Sequence, residues 1–260
     1  LYVARCDTEQ EVRQAAAAVW KALVTNTPRA LRIVMPTLTS ILVDMLSSDD
    51  EDMVEAGTSA LIELVAKLGE KALGMLVPSF QKRLAEGTGS VRERAAACIG
   101  LAEVVAAASR DSVQRYVDGL VNAIRTGLCD EDAGVVSAAA RAFGSLQREI
   151  GPAAVSAVVP PMLAMLSSHD ELEVEAGRRA LRELVSQRPQ AVAPYLLPLL
   201  CAGGGLTLPY ARALDAIAGA AGAALHPMLD VVIPALLSGL YVERELIPLG
   251  ANDGGDGDGD

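Results

Sequence analysis

Aromatic side chains are scarce: two Phe, one Trp and five Tyr in 260 residues, or 3% of the chain. With 51% hydrophobic residues all the same, the core must come from Ala, Leu and Val, which suits stacked helices better than sheets. Histidine occurs twice, at His169 and His226, each just ahead of a helical run, so both read as capping or surface residues. The four cysteines (Cys6, Cys98, Cys129, Cys201) are scattered with no C-x-x-C and no nearby His, which excludes a zinc knuckle or a disulfide framework and predicts reduced thiols. No G-x-S-x-G, H-E-x-x-H or Walker A pattern occurs, and Gly203-Gly204-Gly205 follows a helical run rather than a strand, so it reads as a helix stop. The sequence therefore predicts no catalytic residue, no metal and no cofactor. No uninterrupted apolar run approaches the ~18 residues of a membrane span, and no signal peptide is visible, so no membrane partner is expected. A net charge of −11 argues against a whole-surface nucleic-acid binder, and no direct DNA contact is expected.

What the chain does have is a repeat. Pro36, Pro78, Pro160, Pro198 and Pro234 each sit inside an apolar run, 42, 82, 38 and 36 residues apart, with Val117 standing midway in the double interval. A second landmark runs in step. After each of these segments comes an acidic or Ser-containing turn and then a Val at 12, 54, 91, 135 or 174, spaced by 42, 37, 44 and 39 residues. Paired helices repeating every ~40 residues are the signature of a HEAT-type array. The predicted fold is an all-α HEAT-repeat α-solenoid, a superhelix of about twelve helices over residues 1–249. Such a fold presents extended surface and has no natural place for a catalytic cleft.

Each unit reads as helix A, a turn, then helix B. A Pro inside helix A removes one backbone hydrogen bond and bends it. An Asp or Ser ahead of each B helix is placed to accept the free amides of the first turn. That role, together with solvation, accounts for the run Asp49-Asp50-Glu51-Asp52 without a metal. The small residues of the B helices (Ala15 to Ala18, Ala95 to Ala97, Ala138 to Ala140) are expected to permit close packing onto the next repeat. Trp20, inside the first B helix, is expected to be mostly buried against the second repeat. The helices predicted at about 7–26 and 226–240 are unpaired, as in an excerpt of a longer array. Residues 250–260 form an acidic Gly/Asp tail that carries four of the excess negative charges and cannot bury apolar surface, so it is expected to be disordered. Its Asp256-Gly257-Asp258 run lacks the closing Glu and flanking helices of a calcium loop.

Particular strings go further than the repeat. Val19-Trp20-Lys21-Ala22-Leu23-Val24-Thr25-Asn26-Thr27-Pro28-Arg29 closely resembles a segment of the giant HEAT-repeat translational activator of general amino-acid control, the general control non-derepressible protein one family. So do Lys67-Leu68-Gly69-Glu70-Lys71, Cys98-Ile99-Gly100-Leu101-Ala102-Glu103, Ser109-Arg110-Asp111 and Leu128-Cys129-Asp130, in the family's order across roughly residues 2–240. The resemblance implies a cytosolic, ribosome-associated protein. It would help activate the kinase that phosphorylates eukaryotic initiation factor two alpha in amino-acid starvation. The matching stretch follows the family's elongation-factor-three-like segment and precedes its kinase-binding segment, so the kinase would be engaged through other parts of the parent chain. No kinase-binding residue is carried over. The turn at 203–205 and the Gly/Asp tail depart from the family pattern.

The expected function is thus a non-enzymatic interaction scaffold of that activator, with the ribosome as partner. The alternative is a TOG-like tubulin reader, or a phosphatase or transport scaffold. Tubulin readers place Trp and cations in the turns along one edge, whereas here Trp20 lies within a helix and the A-to-B turns are acidic. Basic clusters occur at Arg29 with Arg32, Arg92 with Arg94, Arg110 with Arg115, and Arg178, Arg179 and Arg182. Most are expected to form a solvated helix face, the alternative being a ribosomal RNA contact by one of them, since such binding needs only a local patch. The candidate partner contacts are Arg29, Arg32, Lys67, Lys71 and Arg110, long cations near turns that reach outward while their helices stay packed.

Overall fold

The computed structural model describes residues 1–85, 89–201 and 208–246, with side chains through 238. The Gly-rich turn at 203–205 and the tail at 250–260 lie outside the described residues. Among those described there is no β-strand, and the helices pair as the two landmarks predict. After a 3-10 turn at Val3–Cys6, α1 (Gln10–Leu23) is the first B helix. Five A/B layers follow: α2 (Thr27–Leu46) with α3 (Glu51–Leu68), α4 (Glu70–Leu84) with α5 (Val91–Ala107), and α6 (Arg110–Arg115) plus α7 (Val117–Leu128) with α8 (Ala133–Ile150). Then come α9 (Pro152–Met165) with α10 (Glu171–Gln187) and α11 (Pro189–Cys201) with α12 (Leu208–Ala221), and finally α13 (Leu229–Leu246) as an A helix. The third A helix is broken at Tyr116, so the twelve predicted helices become thirteen described segments.

From α2 onward B helices stack on B helices and A on A, and all substantial contacts lie within a layer or join neighbouring layers, as expected of a solenoid. The internal prolines stand where predicted: Pro36, Pro78, Pro160 with Pro161, Pro194 with Pro198, and Pro234. The core lies between the two rows. Phe80, Phe143, Leu42, Leu64, Leu101 and Ile124 are fully buried in it. Small residues set the spacing. A Cβ on Gly100 would sit 2.8 Å from Phe80 Cζ, and one on Gly127 would sit 2.8 Å from both Ala139 Cβ and Cys98 Sγ. Ala96, Ala97 and Ala138 to Ala140 are buried.

Two expectations fail at the first helix. Ala15, Ala17 and Ala18 are exposed, and Trp20 is only half-buried. The cause is that α1 packs mainly on the Val3–Cys6 turn, and this turn, rather than α1 itself, packs on α3. Trp20 instead meets Tyr2 edge-on at 5.3 Å, has the Arg5 guanidinium 5.7 Å from its ring centroid, and donates its indole N–H to Thr27 Oγ1 at 3.1 Å. At the other end, the continuous stretch Leu208–Ser238 contains an 18-residue window of mean hydropathy 1.6 and is long and apolar enough to cross a membrane by length and composition alone. Its axis is interrupted at Gly222, whose φ of 51° opens a 3-10 segment, and α12 then packs on α10 while α13 packs on α11.

Candidate interaction surface

Alternating helix direction gives the array two long edges. At the A–B edge, A helices end and B helices begin; at the B–A edge the reverse holds. The A–B edge is closed upon itself. Asp50, Ser90, Asp132 and Asp170 cap α3, α5, α8 and α10 through their side chains, with Ser90 and Glu93 forming a reciprocal capping box.

The cations of this edge are consumed in joining layers. Arg92 pairs with Asp49 at 2.6 Å, Arg83 with Glu93 at 3.2 Å, and Arg94 grips Asp130 with two bonds of 2.7 and 3.0 Å. Arg179 donates to the carbonyl oxygens of Asp130 and Glu131 at 2.9 and 3.1 Å. Asp130 in the third layer is therefore held from the second by Arg94 and from the fourth by Arg179. Burial alone would raise its carboxyl pKa, but the Arg94 bonds and the Asp132 amide outweigh burial and hold it below the usual carboxylate range. The expectation that these arginine clusters form a solvated face is corrected accordingly: Arg94 and Arg179 tie layers together. Arg178 is bound to Glu175 in its own helix, and only Arg182 of that trio is largely exposed.

All five predicted contact residues fall on the B–A edge. Arg29 and Arg32 open α2, Lys67 closes α3, Lys71 opens α4 and Arg110 opens α6. All are exposed, and the fold sets them in successive layers rather than in one cluster. Lys67 differs from the rest because its ammonium is 2.5 Å from Glu63, which also takes Arg5 at 2.7 Å and Cys6 Sγ at 3.1 Å. It belongs first to that internal network. Burial would raise the Glu63 pKa, but its bonds to Lys67 and Cys6 and the Arg5 charge bring it below its usual value. Arg32 donates only to the Pro28 carbonyl at 3.2 Å. Two further exposed cations of the same edge, Lys21 at the end of α1 and Arg148 at the end of α8, were not singled out from sequence. The signal was present: each stands in the last turn of a B helix, just before the connection to the next A helix. Among the described residues, no group of three His, Cys, Asp or Glu has metal-binding geometry.

No family model matches the chain. It is similar to the "eIF-2-alpha kinase activator GCN1" of Saccharomyces cerevisiae, 37% identical over 245 residues, which are 94% of this chain and 9% of the relative. It is equally similar to the human "Stalled ribosome sensor GCN1", 37% identical over 240 residues, 92% of this chain and 9% of the relative. The chain thus spans about a tenth of the length of the curated relatives it matches. A designed armadillo repeat protein solved with a (KR)4 peptide aligns with 83% of this chain and 98% of its own, but at 16% identity and a TM-score of 0.33. So low a score carries no argument.

Proposed function

Because the chain belongs to the GCN1 family along nearly its whole length, we propose that it is a non-enzymatic, interaction-bearing stretch of a ribosome-associated activator of the eIF2-alpha kinase. The observation that carries this is the 37% identity to relatives named as kinase activator and stalled-ribosome sensor, spread over 94% and 92% of the chain rather than confined to one repeat. The fold supports it. Its ionisable clusters, Arg5–Glu63–Lys67 and Arg94–Asp130–Arg179, are closed on one another as packing devices, while the exposed cations lie along an edge that a large partner can reach. Within that reading the protein works in the cytoplasm on ribosomes, the kinase is engaged through other parts of the parent chain, and Arg29, Arg32, Lys67, Lys71 and Arg110 are the contact residues. Replacing the matching segment of the Saccharomyces relative with this chain tests it. The chimera should co-sediment with ribosomes and support eIF2-alpha phosphorylation in starved cells, and charge reversal at the five positions should weaken both. Unchanged behaviour of the reversed chimera in both assays would make the segment a spacer.

A further inference from the structure

The two edges differ in how their cations and helix ends are satisfied. On the A–B edge, Arg83, Arg92 and Arg94 sit on carboxylates, and the B helices α3, α5, α8 and α10 carry their own caps. On the B–A edge, Lys21, Arg29, Arg32, Lys71, Arg110 and Arg148 are exposed and, among the described residues, none forms an ion pair. Two of the helices that begin there have no side-chain cap. α4 and α9 follow Gly69 and Gly151, whose φ values of 55° and 64° suit glycine and whose Cα atoms face open space. α9 has no acidic residue in its first turn, and Arg148, bonded only to Ser145 Oγ at 2.9 Å, precedes it by one helical turn. At α9 the Arg148 guanidinium, which meets no carboxylate among the described residues, stands beside an uncapped N-terminus. At α4 the unpaired Lys71 ammonium does so, next to Glu70, which is taken by Arg115, and these donors share a fit to oxyanions.

Resting on the scaffold reading above, we propose that the B–A edge binds the phosphate backbone of structured RNA. The cations belong to successive layers, which stack at about 10 Å, so they form a row rather than a pocket. A row of donors matches a string of phosphates. Between them stand the exposed Thr25 hydroxyl and the Asn26 side-chain amide, whose oxygen caps α2 but whose NH2 makes no bond among the described residues; both are of the kind that contact phosphate and sugar. A protein partner would need aromatic or aliphatic anchors. The turns between α3 and α4, α5 and α6, and α8 and α9 expose none. Among the described residues of this edge, large aliphatic side chains are exposed only at the two ends of the array, Leu23 and Ile33 at the first turn and Leu229 at the start of α13. The chain's negative charge does not conflict with this assignment. The acidic runs Asp49–Asp52, Asp130–Asp132 and Asp170–Glu171 line the other edge, so repulsion there turns the basic edge toward the polyanion.

The test is fluorescence anisotropy of the whole chain with a labelled 20-base-pair RNA duplex across a salt series. Wild type should bind, with affinity falling as salt rises. Combined reversal R29E, R32E, K71E, R110E and R148E should weaken binding on the order of 100-fold and flatten the salt slope by about four, at unchanged helicity. The milder Gln series at the same five positions should lose binding in the same direction, which covers a reversed variant that misfolds. Neutralising Glu9, Glu11, Asp52, Glu131 and Glu171 to Gln on the opposite edge should leave duplex binding equal or tighter. Equal binding by the Gln series and wild type overturns the proposal, as does wild type holding a polyglutamate peptide as tightly as the duplex at the same salt. The yeast chimera separates the two readings. Edge-dependent co-sedimentation without duplex binding removes RNA as the partner and leaves the scaffold standing. Edge-dependent duplex binding with unaltered co-sedimentation keeps the RNA edge and removes the ribosomal role of this segment.

Discussion

Replacing Asp130 with Ala removes the carboxylate on which the second and third layers close. The Asp130 side chain is only 9% exposed and that of Arg94 21%, so water replaces little of what is lost. Three charge-assisted bonds disappear, two from Arg94 and one from the Asp132 amide at 2.9 Å, and Arg94 keeps only the Gly89 carbonyl at 3.0 Å. The expected cost is about 2–4 kcal/mol, the range for breaking a partly buried pair from one side. R94A should cost a similar amount, and the double variant should cost less than the sum by about 1.5–2 kcal/mol, because the second change removes the orphan left by the first. R179A should be nearly additive with D130A, since Arg179 binds main-chain carbonyl oxygens that survive the substitution. Urea unfolding followed by far-UV circular dichroism gives the cycle. Amide exchange should place the lost protection in α5, α7 and α8, since each layer leans only on its neighbours. The pH dependence has a definite sign. Asp130 is held below its ordinary pKa in the fold, so its contribution is present above the unfolded value of about 3.9 and fades as pH falls through the lower folded value. The stability gap between wild type and D130A should therefore narrow only below about pH 4. Additivity of D130A and R94A to within about 0.5 kcal/mol refutes the reasoning.

Gly100→Ala should destabilise by about 1–3 kcal/mol despite the better helix propensity of Ala, because the new methyl meets Phe80 Cζ at 2.8 Å, and adding F80L should recover part of the loss in the same urea assay. Trp20→Ala should cost only about 1–2 kcal/mol, against about 3–5 for Phe143→Ala, since Phe143 is 0% exposed while the Trp20 ring is covered mainly by Tyr2 and Arg5; equal costs would show that α1 packs more tightly than described. Cys98, fully buried with its thiol pushed up to about 12 by burial, should resist a thiol-specific reagent until the chain unfolds. Cys129, an exposed residue whose thiol pKa is also raised by burial and whose sulfur lies against Met162 and Met165, should be modified in the native state but more slowly than a free thiol; early labelling of Cys98, mapped by mass spectrometry, counts against the packing of α5.

The period was readable because each repeat carries two marks with separate physical causes. A proline survives inside an A helix only where one missing hydrogen bond is tolerable, and a Ser or Asp precedes a B helix because the first-turn amides need an acceptor. Where the proline is absent, the A helix breaks all the same, at Tyr116 between α6 and α7. Its hydroxyl lies 2.7 Å from where a Cβ on Gly74 would be, so the neighbouring layer has room for the ring only because residue 74 is glycine. That is a tertiary fit between positions 42 residues apart, and no local pattern announces it. Trp20 was misjudged for a related reason. Helical periodicity gives the face a side chain points to, whereas its burial depends on whether the next layer covers that face, and here the Val3–Cys6 turn stands between α1 and α3.

The charges divide along the same line. That Arg29, Arg92 and Arg94 are basic and lie near turns is plain in the sequence, but their availability is not. Arg94 looks no different from Arg110 until Asp130, 36 residues on, is folded beside it. A cation becomes structural when the layer period brings a carboxylate or carbonyl within reach, as at the A–B edge, where the caps are acidic because B-helix N-termini attract negative charge. At the B–A edge several A helices begin on Gly, Asn or Ser, so fewer carboxylates stand waiting. Lys67 and Arg115 find Glu63 and Glu70, while Lys21, Arg29, Arg32, Lys71, Arg110 and Arg148 form no ion pair among the described residues. Helix-dipole chemistry thus places acid along one edge for reasons of folding, and leaves the opposite edge as the one from which a −11 chain can still approach a polyanion.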